Sequence, residues 1–424
     1  MATGKRAYDP IDSTVLYCYL FLVVLGIMSV FATEYNGDLS SGFFSMKHSY
    51  MKQVLWAGIS GLMFFTILGF DRRILQLISY PIYGMILLLL LSVFVFGERT
   101  KGDQNWINLG FFKLQPSEFA KFATALALAK YFDTPNMRFV TMREHLYAYA
   151  IIGVPLLMVA AQGDAGSCLV FAAFIFVLNR EGLSDLVIYL GLFIVLIAVL
   201  ALIISPYIII GISVLLFSVL IYWNWLNKQL VKILAIILLG TCVFTFSVSY
   251  IFNHVLEKHQ RDRINVVLGK ELTKEAKHGI AFNLNQSKIA IGSGGIIGKG
   301  YLQGTQTRYN YVPETSTDFI FSAIGEEWGF VGSLVLLAVF VLMLQRLLLL
   351  ADRQRSPFGR VYMYSVVAII FTHVSINIGM TIGILPVIGI PLPFLSYGGS
   401  SLISFTFMIA TALKLDSERR MTMR

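Results

Sequence analysis

The sequence predicts an all-α, polytopic integral membrane protein of about 12 transmembrane helices with one large extracytoplasmic loop. Three observations carry that prediction. Hydrophobic residues make up 57% of the chain and charged residues 13%, with a mean hydropathy of +0.73. Soluble domains average roughly 45–50% apolar and about 25% charged, so a soluble fold of 424 residues could not hide this much apolar surface. Apolar runs recur at close to the ~20 residues that a helix needs to cross a hydrocarbon core. Finally, Lys and Arg cluster at every second interval between those runs.

The strong runs lie near 14–32, 53–70, 75–96, 184–204, 207–225, 229–252, 319–350 and 361–385; weaker ones lie near 117–131, 146–161, 166–179 and 398–414. The cationic intervals hold Lys5/Arg6, Arg72/Arg73, Lys130/Arg138/Arg143, Arg180, Lys228, Arg346/Arg353/Arg355/Arg360 and Lys414/Arg419/Arg420. This positive-inside pattern predicts that both termini are cytoplasmic. The intervals 97–115, 253–317 and 386–397 then face outward. The N-terminus reads as uncleaved, because Lys5 and Arg6 precede polar residues and then a full-length apolar run.

The net charge of +9 comes from 33 Lys and Arg against 24 Asp and Glu. It fits cationic cytoplasmic loops rather than nucleic-acid binding, since no basic stripe is interleaved with aromatics. Cys18, Cys168 and Cys242 sit inside apolar runs and read as small hydrophobes, with no disulfide or metal framework. No internal repeat supports an inverted-repeat transporter.

The segment 253–317 is the main polar excursion, and an outward loop this long is rarely a mere connector. It opens with charges from His254 to Arg263 and continues into the Gly-rich stretch Ile291–Gly300. That stretch is not a phosphate-binding P-loop: the required Gly is Ser293 and the required Ser or Thr is Gly300. Its histidines, His254, His259 and His278, read as solvated or interfacial side chains rather than metal ligands.

Four further places carry ionisable or helix-breaking residues at membrane depth. Glu118 and Lys121 are three apart on one helix face, an ion pair that is expensive in a membrane and therefore a functional candidate. Asp164 either caps a helix or lines a cavity. Asp318 stands at the head of a long helix as a cap, with Glu326 and Glu327 deeper in an apolar span, where capping does not explain them. The run Gly389–Ser401 holds two Pro and three Gly, so it cannot continue a helix. Non-helical backbone at bilayer depth requires protein or a water-filled cavity to satisfy it.

Together these blocks resemble the SEDS family, membrane glycosyltransferases of cell shape, division and sporulation. The matching blocks are Trp106–Gly110, Gln115–Lys121, Gln286–Gly295, Gly298–Gln306, Pro313–Gly329, Asn377–Met380 and Leu385–Ser401. Nearly the whole chain is covered, and the wording is nearer the elongation branch than the division branch. The resemblance implies the SEDS fold, a family core of 10 helices with 2 inserted within 184–252, and 253–317 as a catalytic loop within a single membrane domain. It implies a bacterial cytoplasmic (inner) membrane enzyme that polymerises lipid II into β-1,4-linked glycan and releases undecaprenyl diphosphate. It also implies a class B penicillin-binding protein transpeptidase as partner, with membrane lipids around it and no nucleic acid.

The family has Arg before the Trp of the first block, where this chain has Asn105. Relatives also carry a catalytic Asp ten residues before the Gln that matches Gln286. That position is Ala276, and the nearest acids are Glu275 and Glu271. Three readings stand: Glu275 is the base, the chain is a natural variant of weakened activity, or Ala276 is an engineered replacement. A sugar hydroxyl needs a base, and the departing diphosphate needs cations. The cationic candidates are Lys121, Arg261, Arg263, Lys288 and Lys299. Trp106, Glu118, Gln286, Ser287, Asp318 and Ser396 complete the expected substrate site. No ligand set for a divalent cation is legible. A lipid II flippase and a non-catalytic activator of the transpeptidase are the rival functions.

Overall fold

The computed structural model describes residues 10–35, 46, 48–100, 103–110, 112–135, 137–270, 273, 277, 279–309, 311 and 314–419. All twelve apolar runs are helical. They form α1 (Ser13–Glu34), α2 (Ser49–Gly69), α3 (Arg72–Phe96), α4 (Pro116–Phe132), α5 (Met142–Ala161), α6 (Ala165–Ala172) with α7 (Phe174–Arg180), α8 (Asp185–Ile203), α9 (Pro206–Trp223) and α10 (Lys228–Tyr250). The rest of the helices are α11 (Lys258–Leu268), α12 (Ile280–Ser293), α13 (Thr305–Arg308), α14 (Ile320–Asp352), α15 (Pro357–Thr381) and α16 (Gly399–Ser417). Among the described residues, nine helices are long and apolar enough to cross a membrane. The fold is therefore polytopic and all-α in its framework.

Local chemistry sets the helix starts. The Asp12 carboxylate accepts from Val15 N at 3.2 Å at the head of α1. Thr141 and Glu144 form a reciprocal capping box at the head of α5. Pro116 and Pro357 occupy first-turn positions, where the missing N–H costs nothing.

The chain divides into two compact units, Met1–Gly182 with Ala281–Arg424, and Leu183–Ile280. In the first, α15 is buried along nearly its whole length and packs on α14, α4 and α16. Helix α4 is equally buried. Its alanines at 120, 123, 125, 127 and 129 let neighbouring backbones approach closely, the usual packing currency where lipid removes the hydrophobic drive. In the second unit, α9 and α8 pack on α10. These helices are apolar all round and expose most of their surface, as expected of lipid-facing spans.

The sequence reading missed one element. Part of the interval 97–115 is a three-stranded antiparallel sheet, β1 (Gly97–Thr100), β2 (Asp103–Asn108) and β3 (Lys113–Leu114). Trp106 pairs with Glu98 across it. Glu98 bridges the outer strands, accepting from Asn108 Nδ2 at 2.8 Å and lying 2.8 Å from Lys113 Nζ. The Lys113 hydrogen bond, then that of Asn108, holds the Glu98 carboxyl below the usual carboxylate range.

Ionic contacts tie the helix ends at one end of the first unit. Asp12 binds Arg346 at 2.8 Å, Arg353 binds Asp416, Arg360 binds Glu181 at 2.7 Å, and Arg72 N donates to Glu418 at 2.8 Å. Arg72, Arg346, Arg353 and Arg360 are among the cations of the positive-inside pattern.

Candidate functional site

The site is built from two interruptions of helical backbone in the first unit. The first is within α14, where Gly329 adopts φ 64° and ψ −158°. Such a break strands polar backbone groups that must find partners. The Gly-rich loop supplies them. Phe330 N and Val331 N donate to Gly295 O and Ile296 O at 2.9 and 3.0 Å, while Lys299 N and Gly300 N donate to Glu326 O and Glu327 O at 3.0 Å each. The approach needs glycine, because a Cβ on Gly294 would stand 2.0 Å from Gly325 O and one on Gly298 2.2 Å from Glu327 O. Gly294 and Gly298 of this stretch thus serve backbone packing.

Glu326, left unexplained by the sequence, anchors the same loop. Its Oε1 accepts from Lys299 Nζ at 2.6 Å, Gln306 N at 2.8 Å and Thr305 Oγ1 at 3.2 Å. Its Oε2 accepts from Thr307 N at 2.9 Å and Thr307 Oγ1 at 3.0 Å. Glu327 accepts from Leu302 N at 3.2 Å.

The second interruption is 382–398, non-helical between α15 and α16. Ser396 Oγ donates to Thr317 O at 2.6 Å and accepts from Leu392 N at 2.8 Å. Tyr397 N donates to Ser316 O at 2.8 Å. Gln53 brackets the next turn, donating to Ser396 O and accepting from Gly398 N. Asp318 lies at the edge of this segment, its carboxylate near Gly389, where a Cβ would stand 3.3 Å from Oδ2. Asn377 of α15 donates to both Asp318 O at 2.9 Å and Ile390 O at 2.7 Å.

Beside this segment lies a buried ionic core. Lys121 Nζ donates to Glu118 Oε1 at 2.7 Å and contacts His373 Nε2 at 2.8 Å. The Lys121 and Glu118 side chains are 0% and 1% exposed. A separate cage surrounds Asp164, which accepts from Asn105, Gln115, Ser117 and Ser167 side chains and caps α6 through Ser167 N at 2.9 Å. Of the two sequence readings for Asp164, helix cap is the one observed.

The remaining predicted residues divide between the units. Ser287 donates to Thr381 O at 3.0 Å, Gln286 is half-buried beside it, and Lys288 is exposed over Gly383. Arg261 and Arg263 belong to α11 in the second unit, where Arg261 donates to Asn253 O at 3.1 Å. Ala276, Glu275 and Glu271 lie outside the described residues. Among the described residues no three His, Cys, Asp or Glu side chains converge on a metal position. Sequence reasoning missed His373. The available signal was an ionisable residue inside an apolar span, one helical turn from Asn377.

Comparison with known proteins gives four findings. The family model FtsW, RodA and SpoVE, described as a cell cycle protein, matches residues 12–210 and 179–421. The peptidoglycan glycosyltransferase MrdB of Escherichia coli K12 is 34% identical over 341 residues, spanning 80% of this chain and 78% of the relative. The peptidoglycan glycosyltransferase RodA of Treponema pallidum is 29% identical over 455 residues, spanning 98% and 99%. Among solved structures, a chain described under structural coordination of polymerization and crosslinking by a peptidoglycan synthase complex superposes with a TM-score of 0.68. It is 25% identical, with 98% of this chain and 100% of that one covered.

Proposed function

Because the chain belongs to the FtsW, RodA and SpoVE family of cell cycle proteins, we propose that it is a multi-pass membrane peptidoglycan glycosyltransferase that polymerises lipid II. The observation that carries this is the 34% identity to a peptidoglycan glycosyltransferase across 80% of the chain. The reaction joins an acceptor sugar hydroxyl to the donor's anomeric carbon in a β-1,4 linkage, and undecaprenyl diphosphate leaves. The enzyme works in the inner membrane with both termini cytoplasmic. The two family-model matches overlap at 179–210, which supports the reading of an inserted helix pair within 184–252.

The physical roles follow from which charges are already cancelled. Lys121 and Lys299 each lie within 2.7 Å of a carboxylate, so each adds little net field at a diphosphate. Lys288 is exposed and is the stronger candidate to meet the developing charge. The base belongs to the 271–276 segment, either Glu275 or, if the chain carries a replaced residue, the position of Ala276. The peptidoglycan synthase complex among the structural relatives supports a class B penicillin-binding protein as partner.

Purified protein in detergent with fluorescent lipid II tests the reading, because micelles leave no two sides to flip between. The expected product is a glycan ladder. A ladder lost in Glu275→Gln assigns the base to Glu275. A ladder made only by Ala276→Asp assigns it to position 276. No polymer from wild type or Ala276→Asp overturns the enzyme reading in favour of a flippase or activator.

A further inference from the structure

The imidazole of His373 joins three elements. Its Nε2 lies 2.8 Å from Lys121 Nζ on α4, and its Nδ1 lies 3.1 Å from Pro391 O in the non-helical segment. A carbonyl oxygen only accepts, so Nδ1 carries the proton and donates. An ammonium only donates, so Nε2 is the bare acceptor. The two contacts together fix one neutral tautomer. Phe405 packs at right angles to the ring, with centroids 4.9 Å apart.

Four residues along α15, Asn377 donates to Ile390 O and Asp318 O. Side chains four apart share a helix face. His373 and Asn377 therefore grip consecutive carbonyls, those of Pro391 and Ile390, from one face of α15. Only His373 also reaches the charged pair on α4. The Glu118 Oε2 atom, buried without a partner among the described residues, leaves that pair incompletely bound by its own helix.

We propose that His373 is a positioning residue. It takes one ammonium N–H of Lys121 and, through Pro391, sets the place of the 382–398 segment and with it Asp318 and Ser396. It touches no reacting atom and acts through the segment it holds. This deepens the glycosyltransferase reading and rests on it for its kinetic arm.

The test uses the full chain in detergent, in whichever form makes glycan, wild type or Ala276→Asp, with fluorescent lipid II as probe. His373→Gln keeps an acceptor and a donor on one planar group, whereas His373→Phe keeps only bulk. The expected result is a fall in kcat of about tenfold for Phe, with KM moving less than about threefold and Gln within about twofold of the parent. Rates are taken per folded molecule, from monodisperse protein only. The double variant Lys121→Met with His373→Phe is expected to fall no further than Lys121→Met alone, since both remove one link. Equal rates for Gln and Phe, or full additivity of the double variant, overturns the proposal. A spectroscopic arm needs no activity. In ¹⁵N-histidine spectra, His373 is expected as the neutral Nδ1–H tautomer, and Lys121→Met is expected to shift its bare Nε2 resonance. An Nε2–H tautomer or an imidazolium overturns the proposal whether or not any glycan forms. Absence of glycan with the Nδ1–H tautomer present instead overturns only the enzymatic reading.

Discussion

Glu326 holds Lys299 at 2.6 Å across the break in α14, and the same carboxylate caps the 305–307 turn with both oxygens. The carboxylate is buried and Lys299 only partly exposed, so the pair is a structural fastener whose halves depend on each other.

Removing one half is expected to cost more than removing both. Lys299→Met leaves a buried carboxylate short of its cation, a loss of the order of 3–5 kcal/mol for buried pairs. Thermal unfolding in detergent is expected to rank wild type above Lys299→Met with Glu326→Gln, and that pair above Lys299→Met alone. Lys299→Met melting with wild type would show that the loop holds without the ion pair.

The glycine loop offers a matched comparison. Gly298→Ala puts a methyl 2.2 Å from Glu327 O at φ +90°, whereas Gly292→Ala meets nothing within 4 Å. Gly298→Ala is expected to lower the yield of monodisperse protein sharply, and Gly292→Ala to leave it near wild type. Size-exclusion profiles from membranes of equal expression decide the matter.

Acid weakens the Asp12 anchor. Burial raises its carboxyl pKa, but the Arg346 hydrogen bond, the Val15 N–H and the charges of Arg346 and Arg353 outweigh that and leave it below the ordinary value. A depressed folded value means the contribution is complete above the ordinary Asp range near ~3.9 and is lost as pH falls through the folded value. Wild type is expected to melt above Asp12→Asn at pH 7, with the gap closing below about pH 4. A gap that persists unchanged to pH 3 would assign the difference to packing.

Lys288→Met is expected to lower glycan synthesis by about tenfold or more while leaving the melting temperature unchanged, because the ammonium is exposed and its loss strands no buried partner. Unchanged synthesis would remove Lys288 from the diphosphate site.

The sequence by itself determined the twelve helical runs, the ionic end and the Glu118–Lys121 pair. Hydropathy length, loop charge and i, i+3 spacing are each contained in short stretches of chain. It also located a break within 386–401, since Pro391 and Pro393 lack backbone donors and stand close to Gly398 and Gly399; the observed break is 382–398, with α16 resuming at Gly399. Only the tertiary structure decided what satisfies those breaks. Gly298 packs on the backbone of Glu327, His373 meets Lys121 from 252 residues away, and Glu98 gathers Asn108 and Lys113 into a sheet. Nothing in local periodicity records which helices become neighbours, so partners set by packing are invisible until the helices are placed. The break in α14 shows the same limit: Phe330 and Val331 give no sign of needing partners until Gly329 turns them toward the carbonyls of Gly295 and Ile296.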